Sequence, residues 1–249
     1  MSSVPLTPDP TIPGSLVPAP TSLEDMRAWI TAKLDPLESY TPDHPVTRPE
    51  LAPDSGFPEA GMALTPAAVL VPLVEHEAGL TVLLTRRADT LRQHTGQIAF
   101  PGGRCDPGEQ PWETALREAR EEIGLDAGHV RIAGLCSQFQ TGTGFDITPV
   151  VGFVRPGFSL APSPAEVAEV FETPFAFLMD ARNHERRFME QADCLRRHFY
   201  AMSHDQRTIW GVTAGMLRAL YERLYGVPDY APEPTPWLPP ALAPAGGDG

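Results

Sequence analysis

The chain has 249 residues, 42% of them hydrophobic, with a formal charge of −13 and a pI near 4.9. That apolar share supports a buried core and excludes a disordered chain, and the length suits one domain with extensions. The acidity excludes general nucleic-acid binding, because it repels phosphate backbones. It would also repel a small anionic substrate, unless a bound cation or clustered arginines reverse the local field.

Residues 1–62 read as a Pro-rich extension carrying one short helix over 22–37, with Ser22 as N-cap and Met26, Trp29, Ile30 and Leu34 at helical spacing. Such a helix is marginal alone, so it is expected to dock on the main body. A folded domain is expected over 63–225. The runs Ala67–Val74 and Leu80–Thr85 are apolar and β-branched, and Glu75 to Gly79 between them predicts a hairpin. Further strands are expected at Val130–Cys136, Asp146–Val154, Arg187–Glu190, His198–Met202 and Thr208–Trp210. Helices are expected at Pro111–Ile123, Pro174–Asp180 and Thr213–Tyr225, the last stopped by Gly226. Strands and helices interleave without strict alternation, which favours a mixed sheet with helices on its faces. Residues 226–249 are Pro-, Ala- and Gly-rich and read as a disordered tail.

Cys105, Cys136 and Cys194 are far apart and show no Cys-x-x-Cys spacing, which argues for a reducing compartment over a disulfide framework or a zinc site. Residues 1–20 hold no Lys or Arg and no apolar core, so no secretory leader is expected. No apolar run approaches the ~20 residues of a membrane span. The expectation is a cytoplasmic protein without membrane or nucleic-acid partners.

The segment Pro111 to Gly124 carries the chemistry. Pro111 suits the first turn of a helix and Gly124 its stop. Trp112, Ala115, Leu116, Ala119 and Ile123 fall on one stripe, and Glu118, Glu121 and Glu122 fall within an arc of about 100° beside it. Glu118 and Glu122 are like charges at i, i+4, and Glu121 and Glu122 sit in the last turn, where the helix dipole disfavours anions. A solvated face would alternate signs. A cation bound by these carboxylates would remove both penalties, and oxygen-only ligands point to Mg²⁺ or Mn²⁺. Just upstream, Phe100-Pro101-Gly102-Gly103 lets the backbone turn sharply and approach a ligand, and the Gly102 carbonyl is a candidate further metal ligand.

Loop and helix together form a spaced pattern: Gly103, five residues, Glu109, seven residues, then Arg117-Glu118-Ala119-Arg120-Glu121-Glu122-Ile123-Gly124. This resembles the signature of the Nudix hydrolases at every charged and glycine position. Ala119 is smaller than the bulky aliphatic residue of the general pattern. The resemblance implies an α/β/α sandwich with a central mixed β-sheet, an α+β arrangement. It also implies hydrolysis of a nucleoside diphosphate derivative, with Glu118, Glu121 and Glu122 as metal ligands, Arg117 orienting carboxylates and Glu109 supporting the loop.

Upstream, Leu83-Leu84-Thr85-Arg86-Arg87-Ala88 is followed by Arg92, Gly96-Gln97-Ile98-Ala99 and Phe100-Pro101-Gly102-Gly103. These intervals, and the later Ile209-Trp210-Gly211, resemble the coenzyme A diphosphatase branch. That branch implies cleavage of coenzyme A, including acyl or oxidised forms, to 3′,5′-ADP and 4′-phosphopantetheine by metal-activated water. Arg87 and Arg92 offer planar forks suited to phosphate oxygens, and His94 and Gln97 are candidates for the same wall. Glu121 and Glu166 are candidates for the general base, Glu166 lying where the family has a Glu-Val pair on a strand. Two other readings stand beside this one: hydrolysis of ADP-ribose or a dinucleotide polyphosphate, and a non-catalytic nucleotide-sensing module. A homodimer is compatible with all of them.

Overall fold

The computed structural model describes residues 20–41, 63–88, 96–190, 196–226 and 233–237. Helix α1 (Leu23–Lys33) starts at Ser22, whose hydroxyl accepts from the Asp25 amide at 3.1 Å. It ends four residues short of the expected Leu37. Leu34 is already extended, and Asp35 forms a bridge with Leu135 ahead of Pro36, which disfavours helix in the residue before it.

Strands β1 (Thr65–His76) and β2 (Gly79–Arg87) form the expected hairpin, closing at His76 opposite Gly79. Gly79 has φ 128°, a conformation that side chains resist. The chain then passes through two short strands, β3 (Ile98–Ala99) on β2 and β4 (Gly102–Arg104) on β1, before entering α2 (Pro111–Ile123). Strand β5 (Val130–Leu135) and the two-residue β6 (Phe139–Gln140) both pair with β7 (Phe145–Val154). Strand β7 runs parallel to β1 from Thr65 opposite Phe145 to Val74 opposite Val154. Strand β8 (Val167–Pro174) returns along β2 and completes an eight-stranded mixed sheet.

After the short α3 (Phe175–Leu178), the chain builds a second sheet from β9 (Glu185–Glu190), β10 (Arg196–His204) and β11 (Arg207–Trp210), and then α4 (Val212–Tyr225). Strand β12 (Thr235–Pro236) joins this sheet parallel to β9. It lies inside the stretch expected to be a disordered tail. The Trp237 amide donates to the Phe188 carbonyl at 2.8 Å, and its ring packs on Phe199 and Trp210, so an aromatic anchor outweighs the Pro-rich context. Residues 227–232 and 238–249 lie outside the described residues.

Both faces of the first sheet are covered. Ala68, Leu70 and Val74 of β1 pack with Ala115, Ala119 and Ile123 of α2, while Val71 and Leu73 face the other way, toward α4 and the second sheet. Burial on both faces is why β1 reads as a continuous apolar run and not an alternating one. Each fully buried leucine there contributes roughly 1.5–3 kcal/mol. No helix of the described residues is long and apolar enough to cross a membrane.

Candidate active site

Helix α2 is placed by its ends. The Gln110 amide donates to the Glu113 carboxylate at 2.9 Å at the start, and Gly124 closes the last turn with φ 71°. The terminal carbonyls of Glu122 and Ile123 accept from the amides of Ser163 and Ala161 at 2.8 and 2.9 Å. That loop carries the chain to Glu166, whose charge is felt at Glu122. Glu166 is exposed in the turn before β8, not on a strand as expected.

Arg117 organises the acidic face. Its Nε and Nη2 donate to the two oxygens of Glu109 at 2.8 and 3.0 Å, and its Nη1 donates to Glu118 at 2.8 Å and to Glu121 at 3.2 Å. Nη2 also donates to the Arg104 carbonyl at 3.1 Å, tying helix to loop. Glu109 accepts further from the Asp106 amide at 3.0 Å and from the Thr114 hydroxyl at 2.7 Å. The Arg117 hydrogen bonds, with those from Asp106 and Thr114, hold its carboxyl down to about 2. Glu109 therefore stays ionised and acts as a strut. In turn the Glu109 carboxylate, and then Glu118, push the Arg117 guanidinium above its ordinary value.

Glu122 has the opposite environment. It is 6% exposed, and burial pushes its carboxyl up to about 7; the Gly102 amide and the Arg87 charge lower it, while Glu118 and Glu166 raise it. The Gly102 N–H donates to Glu122 Oε2 at 3.2 Å. Gly102 thus meets the cluster through its amide; the sequence had singled out its carbonyl.

Among the described residues, no three His, Cys, Asp or Glu side chains form a ready-made metal cage. Glu118 and Glu121 are instead engaged by Arg117, and Glu122 by Gly102. The donor chemistry still fits a hard divalent cation. Three carboxylates share one end of a helix, and one is buried beside like charges that a cation would offset.

A cleft of about 690 Å³ is lined by Arg87, Gln97, Gly102 and Arg104, and it meets the acidic cluster through Gly102, whose amide binds Glu122. The pairing of β2 with β8 shifts register between Arg86 and Arg87. Arg86 pairs with Glu169 and Arg87 lines the cleft. Among the described residues the buried Nε of Arg87 has no hydrogen-bond partner. Gln97 holds the Arg87 backbone, its carbonyl accepting the Arg87 amide at 2.9 Å. Arg92 and His94 lie outside the described residues.

The model of the NUDIX domain matches residues 64–192 of this chain. The chain belongs to the Nudix family. It is 39% identical over 160 residues to an uncharacterized Nudix hydrolase, NudL, from Photorhabdus laumondii, covering 64% of this chain and 84% of that protein. The corresponding protein from Yersinia enterocolitica is 38% identical, over 64% of this chain and 80% of its own length. Among solved structures, a Nudix hydrolase from Nitrosomonas europaea aligns with a TM-score of 0.42 at 18% identity, covering 70% of this chain and 79% of that one.

The Nudix fold here is the expected one, mixed sheets with flanking helices, and the coarse activity is hydrolysis of a nucleoside diphosphate derivative. The structure brings Glu109, Arg117, Glu118, Glu121, Glu122 and Gly102 of the Nudix segment together, with Glu166 and Arg87 beside Glu122. Sequence reasoning missed Arg104, which lines the cleft and lies over the Phe145 ring at 5.3 Å, and Thr114, which braces Glu109. Arg104 directly follows the glycine bend, a position that hinted at it; nothing distinguishes Thr114 from any helix threonine.

Proposed function

We propose that this chain hydrolyses the diphosphate bond of coenzyme A or its derivatives, releasing 3′,5′-ADP and 4′-phosphopantetheine. The observation that carries the reading is Arg87. The motif Leu83–Gly103 led to it, it lines the cleft, and its charge is felt at Glu122, while its buried Nε has no hydrogen-bond partner among the described residues. An unmet donor next to a carboxylate cluster fits a ligand whose diphosphate spans the two.

Glu118, Glu121 and Glu122 would hold Mg²⁺ or Mn²⁺, which supplies charge neutralisation on the diphosphate and makes a water more acidic. Arg117 sets the positions of Glu118 and Glu121, and Glu109 sets Arg117. Arg87 holds phosphate oxygens, and Gln97 fixes the Arg87 backbone. Glu166, exposed beside Glu122, accepts the proton of the attacking water; Glu121, which also accepts from Arg117, is the other candidate base. In-line attack at one phosphorus then separates the two phosphoryl groups, with positioning supplying much of the rate.

The test is incubation of the full chain with coenzyme A and Mg²⁺, with products separated by chromatography. Appearance of 3′,5′-ADP in step with loss of coenzyme A is expected. Cleavage of ADP-ribose or a dinucleotide polyphosphate without cleavage of coenzyme A would overturn the substrate. Cleavage of none of them would overturn the enzymatic reading.

A further inference from the structure

The two walls of the cleft differ in chemistry. The wall from the first sheet carries Arg87 and Arg104, and the wall from the second sheet carries Phe199 and Trp210. The Thr213 hydroxyl donates to the Ile98 carbonyl at 2.9 Å, joining the start of α4, three residues past Trp210, to the strand that leads into the glycine bend. The walls are therefore held in a fixed relation. Phe199 is buried and Trp210 half-buried, so Trp210 is the ring with a free surface.

Trp237 packs against both. Its ring lies 5.3 Å from Phe199, edge-on, and 5.2 Å from Trp210 at 34°; Phe199 and Trp210 are 5.7 Å apart. It is delivered by β12, where Thr235 pairs with Arg187 and Pro236 with Phe188. All three rings lie outside residues 64–192, the stretch that the NUDIX domain model matches.

We propose that Trp210, backed by Phe199, holds the adenine base of the substrate by stacking, and that Trp237 is the positioning residue that fixes this plate. A purine offers a flat π-face that stacks on an aromatic ring, while its phosphates reach the arginine wall. The aliphatic amide arm of phosphopantetheine fits the plate worse, because its N–H and C=O groups would lose water against rings that return no hydrogen bond. The proposal rests on the diphosphatase reading only in taking the substrate to be an adenine nucleotide, and it does not require coenzyme A.

The experiment is titration calorimetry of the full chain with ADP, inorganic pyrophosphate and 4′-phosphopantetheine, with Mg²⁺ present. Trp210→Ala, Trp237→Ala and Trp237→Phe are compared with the unaltered chain, and melting curves confirm folding. The unaltered chain is expected to bind ADP at least tenfold tighter than either base-free ligand, and Trp210→Ala to remove that preference. Trp237→Ala should weaken ADP at least fivefold while leaving pyrophosphate unchanged, with Trp237→Phe restoring most of the loss. In turnover, Trp237→Ala should raise KM and leave kcat within twofold. ADP binding no tighter than pyrophosphate, tighter binding of phosphopantetheine, or equal weakening of all ligands by Trp237→Ala would overturn the proposal. An ADP preference that depends on Trp210 in a chain that leaves coenzyme A intact would overturn the substrate and keep this site. Coenzyme A hydrolysis at unchanged KM in both alanine variants would overturn this site alone.

Discussion

Gly103 and Glu118 are in such close contact that a Cβ added to Gly103 would lie 2.5 Å from the Glu118 carboxylate. The obstacle is the far end of a flexible side chain, so Gly103→Ala can be accommodated if Glu118 swings away. The expected outcome is a protein within about 1 kcal/mol of the original stability and at least tenfold less active. Gly102 differs, because its Cβ would meet the Ala68 carbonyl at 2.4 Å and Val69 Cα at 2.6 Å, both backbone of a central strand. Gly102→Ala is expected to cost about 1–3 kcal/mol as an overpacking change. Denaturant unfolding and activity assays run side by side separate the two; equal destabilisation by both would contradict the geometry.

Glu122 is the buried member of the acidic cluster, and Gln keeps its shape without its charge. Glu122→Gln is expected to lower turnover at least a hundredfold with an unchanged circular dichroism spectrum. Near-normal activity in that variant would remove the carboxylate from the catalytic assignment.

Arg117 makes five hydrogen bonds through a planar fork, to Glu109, Glu118, Glu121 and the Arg104 carbonyl. An ammonium group cannot satisfy that geometry. Arg117→Lys should therefore lose at least tenfold in activity despite keeping the charge. The group is partly exposed, so the stability cost should stay near 1 kcal/mol. Full activity in the lysine variant would show that charge alone suffices.

His184 is almost fully buried, its Nε2 on the Leu178 carbonyl at 2.7 Å and its Nδ1 3.5 Å from Arg218, with Asp180, Glu222 and the Tyr221 ring beside it. Burial first, and then the Arg218 charge, holds its pKa down to about 4. An unfolded histidine binds a proton near pH 6.5, so between there and pH 4 protons favour the unfolded chain. Stability is therefore complete above about pH 6.5 and falls as the pH drops, by an order of 3 kcal/mol in all. Urea unfolding at pH 7.5 and 4.5 should show this fall, and His184→Gln should flatten it. An unchanged pH slope in the variant would assign the effect elsewhere.

Helix α2 was legible to the residue because Pro111 and Gly124 punctuate it and its carboxylates break local helix rules. The β1–β2 hairpin was legible from two apolar runs around a short polar turn. Strands β3, β4 and β6 are two or three residues long, too short to show any period, and exist because longer strands offer them edges. Strand β8 alternates only weakly and takes its register from β2. At the site, the residues on one helix could be read together, and Arg104 was hinted at by the glycine bend before it, whereas Trp237 reaches Trp210 through sheet geometry that no local spacing encodes.

The bridge between Asp35 and Leu135 has a consequence for how copies of this chain meet one another. Strand β5 ends the row of long strands, and Asp35 exchanges backbone hydrogen bonds with Leu135 at 3.0 and 2.8 Å, while Arg223 grips the Lys33 carbonyl and Asp35. An open strand margin is a template for another chain. Residues 34–35 form a selvedge over this margin at Leu135, and removing residues 20–41 is expected to raise self-association, read by size-exclusion chromatography.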